Sequence, residues 1–152
     1  MKVSSRITNQ QGKHIIAVET EGREQQLAIR PGGDGFGSCV NGGELLFSAL
    51  ATCYCNDLYR EARKRGIEVV RVRVEVNGEF ASEGAGASNI SYRASVDAKA
   101  PEEAVLELMR HTDSVAEIHN TLRPSTPVVL AECQAREIPV APVAAARAAS
   151  GY

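Results

Sequence analysis

The chain has 152 residues, 43% of them hydrophobic and 24% charged, with a formal net charge of −2 and no tryptophan. That length fits one domain with one core, and the near-neutral balance removes the electrostatic case for nucleic acid or an anionic membrane as a partner. The longest apolar run, Leu45–Cys55, is far shorter than the ~20 residues of a membrane helix, and Met1–Gln10 lacks the apolar core of a signal peptide, so a soluble cytoplasmic protein is expected.

Three short extended segments open the chain. Val3–Thr8, His14–Glu21 and Gln25–Arg30 are separated by Gln11-Gly12 and Gly22, a spacing that predicts a meander of hairpins. Pro31–Gly43 is a glycine-rich loop, long enough to be functional or to cross an edge. Its Gly32-Gly33-Asp34-Gly35-Phe36-Gly37 stretch lacks the Gly-Lys-Ser/Thr ending of a phosphate loop and does not fit G-x-G-x-x-G.

Glu44–Arg65 reads as the first long helix. Leu46, Ala49, Leu50 and Cys53 recur at i, i+3, i+4 and i+7, the spacing of a buried stripe. The second half turns polar, and Arg63-Lys64-Arg65 before Gly66 makes a favourable end: cations complement the dipole and glycine accepts the left-handed conformation. Glu68–Phe80 alternates, with Val70, Val72, Val74 and Val76 on one face and Arg71, Arg73, Glu75 and Asn77 on the other, as in a strand with one solvated side. Ile90–Val96 returns as a second strand, with Ile90, Tyr92, Ala94 and Val96 inward.

Pro101-Glu102-Glu103 suits the start of a second helix, with Val105, Leu108 and Met109 as its apolar stripe. A break is predicted around Thr112-Asp113-Ser114, with Asp113 or Ser114 capping a restart through Val115, Ile118 and Leu122. Pro124–Pro127 ends it, Val128–Ala135 reads as a last strand, and the Ala-rich Pro139–Tyr152 as a poorly ordered tail. The order βββ-α-ββ-αα-β, with antiparallel runs separated by helices, is an α+β pattern. A first helix whose front half is apolar and small-residue suits burial at a subunit interface.

The four cysteines, Cys39, Cys53, Cys55 and Cys133, suit neither a disulfide framework nor a C-x-x-C site; a reducing cytosol keeps them free. From periodicity, Cys53 is either a small buried hydrophobe or, with a cation beside it, a reactive thiolate. Glu117 and His119 either add acid–base or metal-ligand chemistry to Cys53 or belong to a polar helix face. His111 and His119, eight apart with no third ligand, are a weak metal signal. No metal or cofactor is expected, and no G-x-S-x-G hydrolase signature is present.

Asn41-Gly42-Gly43-Glu44-Leu45 through Cys53 resembles the N-P-E-[EQ]-L…C helix start of the OsmC/Ohr family (osmotically induced and organic-hydroperoxide-resistance proteins). Val115–Val128 resembles its C-P-[VI]-S-x-x-L…P-V segment. The resemblance implies an OsmC-like α+β fold over residues 1–138, with 139–152 as a tail, in an intertwined homodimer whose central helices pack against antiparallel sheets. Active members reduce organic hydroperoxides with a reactive Cys, a resolving Cys, an Arg and a Glu. Cys53 falls on the reactive position, and Arg30 sits where a thiolate-stabilising arginine is placed. The orienting Glu falls on Gly43, so Glu44 is the candidate to replace it, and the resolving Cys falls on Ala116.

A sulfenic acid without a resolving thiol over-oxidises. Turnover then needs Cys39, Cys55 or an external dithiol. Cys55 is poorly placed, about 200° around the helix from Cys53. Cys39, in the glycine loop, is the better internal resolver. The expected function is thiol-dependent reduction of organic hydroperoxides, with Phe47, Leu50 and Tyr54 lining an apolar substrate pocket. The alternative is a dimer without turnover that binds a small apolar or electrophilic ligand or senses oxidants.

Overall fold

A computed structural model describes residues 1–124. The expected last strand, its Cys133 and the tail over 139–152 lie outside the described residues. The described elements run βββ-α-ββ-αα, in an α+β arrangement. Strands β1 (Val3–Gln10), β2 (Lys13–Thr20) and β3 (Arg23–Leu27) form an antiparallel sheet in sequential order. Its hairpin turns use Gly12 and Gly22 at positive φ, the conformation for which glycine carries no steric penalty.

Helix α1 spans Gly42–Lys64. Asn41 and Glu44 form a reciprocal capping box: the Glu44 N–H donates to Asn41 Oδ1 at 2.9 Å, and the Asn41 N–H donates to Glu44 Oε2 at 2.7 Å. This satisfies two of the orphan donors at the helix start. Asn41→Ala is expected to cost about 0.5–2 kcal/mol of stability, read as a lower midpoint in urea unfolding. At the other end, Gly66 takes φ +66. The Ile67 N–H reaches the Ala62 carbonyl at 3.0 Å and the Gly66 N–H reaches that of Arg63 at 3.3 Å, the paired bonds of a Schellman end.

Strands β4 (Val69–Phe80) and β5 (Ala87–Ala98) form a second, two-stranded antiparallel sheet. Helices α2 (Glu102–Val115) and α3 (Glu117–Leu122) follow. The core is the α1 stripe Tyr54, Leu58 and Ala62, closed by Leu108 of α2 and by Val72, Val74, Tyr92, Ala94 and Val96 from the sheet. The Tyr54 hydroxyl donates to the Met109 carbonyl at 3.0 Å, which satisfies it inside the core.

Four sequence expectations are corrected. The buried stripe of α1 is Leu50-Tyr54-Leu58-Ala62; Ala49 is exposed and Cys53 is half-buried on the flank. In the polar second half of α1, Asp57 and Glu61 are buried within ion pairs. A register irregularity between Val69 and Arg71 turns Val69 toward the core and leaves Val70 62% exposed. The α2–α3 break falls at Ala116, whose backbone is extended, rather than around Thr112–Ser114. Asp113 and Ser114 do not cap the restart: Asp113 accepts from Tyr92 and Arg123, and Ser114 Oγ donates to the His111 carbonyl.

The β1–β3 sheet has no extensive packing against the helices among the described residues. Ile7, Ile16 and Leu27 lie opposite one another across its three strands and so share one face. Ile16 is buried, but Ile7 and Leu27 are 57% and 46% exposed. A sheet with such a row is half of a layered structure that wants a second apolar layer. No described helix is long and apolar enough to cross a membrane.

Candidate functional site

Cys53 lies on the flank of α1 where the first turn of α3 passes. Its thiol is placed to donate to Asp57 Oδ2 at 3.3 Å, one helical turn along, with Glu117 Oε2 at 3.9 Å. The Ile118 N–H donates to Sγ at 3.4 Å. Arg60 joins the two acids, with Nη1 at 2.6 Å from Asp57 Oδ1 and 3.1 Å from Glu117 Oε1. The result is a closed loop of thiol, two carboxylates and one guanidinium.

Burial pushes the Cys53 thiol above its ordinary value; the Ile118 N–H pulls it back, and Asp57 pushes it further up. Burial raises Asp57 as well, and its hydrogen bond with Glu117 adds to the rise. Glu117 is held low by its own backbone N–H and by Asp57. Within one chain the thiol is therefore protonated at neutral pH, beside a carboxyl of raised proton affinity.

Sγ of Cys53 and carboxylate oxygens of Asp57 and Glu117 lie within 4.8 Å of one another. These are the types of donor that bind zinc, but Arg60 already presents its positive charge to both carboxylates. Asp57 is 4% exposed, so Arg60 neutralises a buried charge. Because the Arg60 side chain is itself 39% exposed, Arg60→Met is expected to cost about 1–3 kcal/mol, measured by chemical unfolding at neutral pH.

The other expected site residues are dispersed. Arg30 follows β3 and is exposed; its carbonyl accepts from the Cys39 N–H at 3.0 Å, and its guanidinium has no partner among the described residues. Within one chain it is not brought to Cys53. Glu44 serves the capping box and makes no bond to Arg30. Cys39 is exposed in the glycine loop. Cys55 borders a shallow groove with Ala51, Thr52, Val72 and Val74, on a different side of α1 from Asp57 and Glu117. All three described cysteines are free.

Gly43, where the resemblance places the orienting glutamate, lies under an aromatic ring. A Cβ there would meet Phe80 Cε2 at 2.7 Å. Phe80 in turn stacks on Phe47 at 6.1 Å. The expected Phe47, Leu50 and Tyr54 pocket does not form as one unit: Tyr54 is core, Phe47 stacks on Phe80, and Leu50 lines a separate cleft.

His119 is not on a polar helix face. It is 6% exposed, its ring 4.9 Å from that of Tyr92 and 6.2 Å from that of Tyr54. Among the described residues neither ring nitrogen has a hydrogen-bond partner, a condition that costs about 1–3 kcal/mol for a buried polar group. Burial, aided by Arg123, pushes its pKa down.

Asp57 and Arg60 escaped the sequence reading, although Cys53 to Asp57 is an i,i+4 step and Asp57 to Arg60 an i,i+3 step on one helix face. Glu117, named in the sequence beside Cys53, is brought there by tertiary packing.

The family profile described as OsmC-like protein matches residues 35–131. Among solved structures, the chain is similar to a hypothetical protein from Aquifex aeolicus (19% identity, TM-score 0.57, covering 82% of this chain and 88% of that one). It is also similar to an OsmC-like protein from Mycoplasma pneumoniae (19%, 0.55, 80% and 86%). A third is an organic hydroperoxide resistance protein from Elizabethkingia anophelis (16%, 0.53, 81% and 89%). At these identities the likeness is one of fold. No curated protein matches the sequence significantly.

Proposed function

Since the chain belongs to the OsmC-like family, we propose that it is a thiol-dependent peroxidase that reduces organic hydroperoxides in oxidative-stress defence, acting as a cytoplasmic homodimer through Cys53. The observation that carries this reading is a half-buried thiol with a proton-accepting carboxyl, Asp57, at 3.3 Å. Structural relatives named for hydroperoxide resistance support it.

Sγ attacks the terminal oxygen of the hydroperoxide while the thiol proton passes to Asp57, a general-base role suited to a carboxyl of raised proton affinity. The O–O bond breaks, Cys53 becomes a sulfenic acid, and the alkoxide leaves as the alcohol with the proton returned from Asp57. One thiol of an external dithiol then condenses with the sulfenic acid, releasing water. The reductant's second thiol attacks the mixed disulfide, freeing Cys53 and leaving the reductant oxidised.

The apolar row Ile7-Ile16-Leu27, which no described helix covers, supports the dimer, because a second copy supplies an apolar layer for it. Arg30 extends from the end of that same sheet, and in the dimer it is assigned to the Cys53 of the other protomer.

The test is consumption of cumene hydroperoxide by the full chain with excess dithiothreitol. Many turnovers per protomer are expected. Consumption that stops at one equivalent overturns the peroxidase and supports a second reading, a sensor or ligand-binding dimer without turnover. That reading is favoured by Ala116 at the resolving position and by the raised proton affinity of the thiol.

A further inference from the structure

Without Cys53 in its lining, an open cleft of about 240 Å³ lies between the β4–β5 sheet, α1 and α3. Its walls are aliphatic: Leu50 from α1, Val76 and Ile90 from the sheet, and Leu122 from α3. Ile90 and Leu122 are 41% and 42% exposed, which leaves the apolar rim facing outward. The polar lining comes from Tyr92, Arg123 and the buried His119. His119 is more than nine-tenths buried, and neither of its ring nitrogens has a hydrogen-bond partner among the described residues.

We propose that this cleft binds a small uncharged aliphatic alcohol, its chain along Leu50, Val76, Ile90 and Leu122 and its hydroxyl hydrogen-bonded to His119. The ligand class follows from the groups present. A buried imidazole disfavours its charged form, so it offers one donor and one acceptor nitrogen. A hydroxyl can satisfy either.

A carboxylate is a poorer match, because the described residues of the cleft hold no free positive charge. Arg123 Nη2 is 2.5 Å from Asp113 Oδ1, its Nη1 donates to the Asn120 Oδ1 at 2.8 Å and to the Asp113 carbonyl at 3.1 Å, and the Tyr92 hydroxyl donates to the same Asp113 oxygen at 2.5 Å. An anion would be desolvated without a counter-charge. The volume lies below the roughly 300 Å³ at which drug-sized pockets begin, which limits the cleft to a small ligand. The inference does not require turnover at Cys53.

The experiment titrates 1-hexanol and hexanoate at neutral pH into the full chain, following the His119 and Tyr92 ring signals by NMR. Saturable hexanol binding is expected at those signals, with hexanoate at least ~10-fold weaker. His119→Phe keeps the ring and removes both nitrogens, and is expected to weaken hexanol at least ~10-fold. Ile90→Trp, at the exposed rim, narrows the cleft without disturbing the core and is expected to abolish binding; it carries the test if His119→Phe does not fold. Cys53→Ser is expected to bind hexanol as wild type does, which separates this site from the thiol chemistry. Absence of saturable binding, equal affinity for hexanoate, or hexanol binding unchanged in Ile90→Trp overturns the proposal.

Discussion

Cys53→Ser is expected to reduce hydroperoxide consumption to the rate of a solution without protein, a loss on the order of 10³-fold or more. The serine hydroxyl fits the space between Asp57 and the Ile118 N–H, but an alcohol is too weakly acidic and too weakly nucleophilic to open the O–O bond. The variant is expected to fold, because Cys53 is only half-buried and lies outside the core stripe. Circular dichroism checks the fold, and peroxide consumption with dithiothreitol reads the chemistry. Equal consumption by wild type and variant would remove Cys53 from the reaction. Neither Cys39→Ser nor Cys55→Ser imitates the loss if reduction comes from outside the chain.

Arg30→Met is expected to lower turnover by about 10²-fold, the scale of removing one preorganised charge from a reacting centre. The reasoning is electrostatic. Burial and two carboxylates oppose thiolate formation in an isolated chain, and Arg60 is committed to those carboxylates. A second guanidinium delivered by the other protomer reverses the balance. The sign is testable through alkylation of Cys53 by iodoacetamide against pH. With Arg30 beside the thiol, the midpoint of the wild type falls below that of Arg30→Met, because losing a cation raises a thiol pKa. Identical midpoints would mean that Arg30 does not act on Cys53, and the loss of turnover should then be absent too.

Much of the architecture was readable in the chain because local chemistry and tertiary packing agree there. Asn41 with Glu44 and Gly66 mark the two ends of α1, and the alternation of Val72, Val74 and Val76 marks the inner face of β4. Disagreement arises where one residue more or less changes a face. A single irregularity at Val69–Arg71 reverses Val70, and the true α1 stripe runs through Tyr54 and Leu58, which moves Cys53 to the flank. The partners of Cys53 were half legible. Glu117, named beside Cys53 through the resemblance, does arrive from 64 residues away, where Ala116 breaks the helix, whereas Asp57 and Arg60 were missed although helical spacing puts them on the same face. His119 looked polar in sequence and is buried, because a six-residue helix docks its ring against Tyr54 and Tyr92.

The contact between Gly43 and Phe80 constrains the order in which this site can change through descent. An acidic side chain arriving first at residue 43 must force the Phe80 ring outward and break its stack on Phe47. A smaller residue arriving first at 80 opens the space at no such cost. A side chain at 43 and the ring at 80 therefore compete for one space, and the half-exposed Phe80 ring is the group that can yield it.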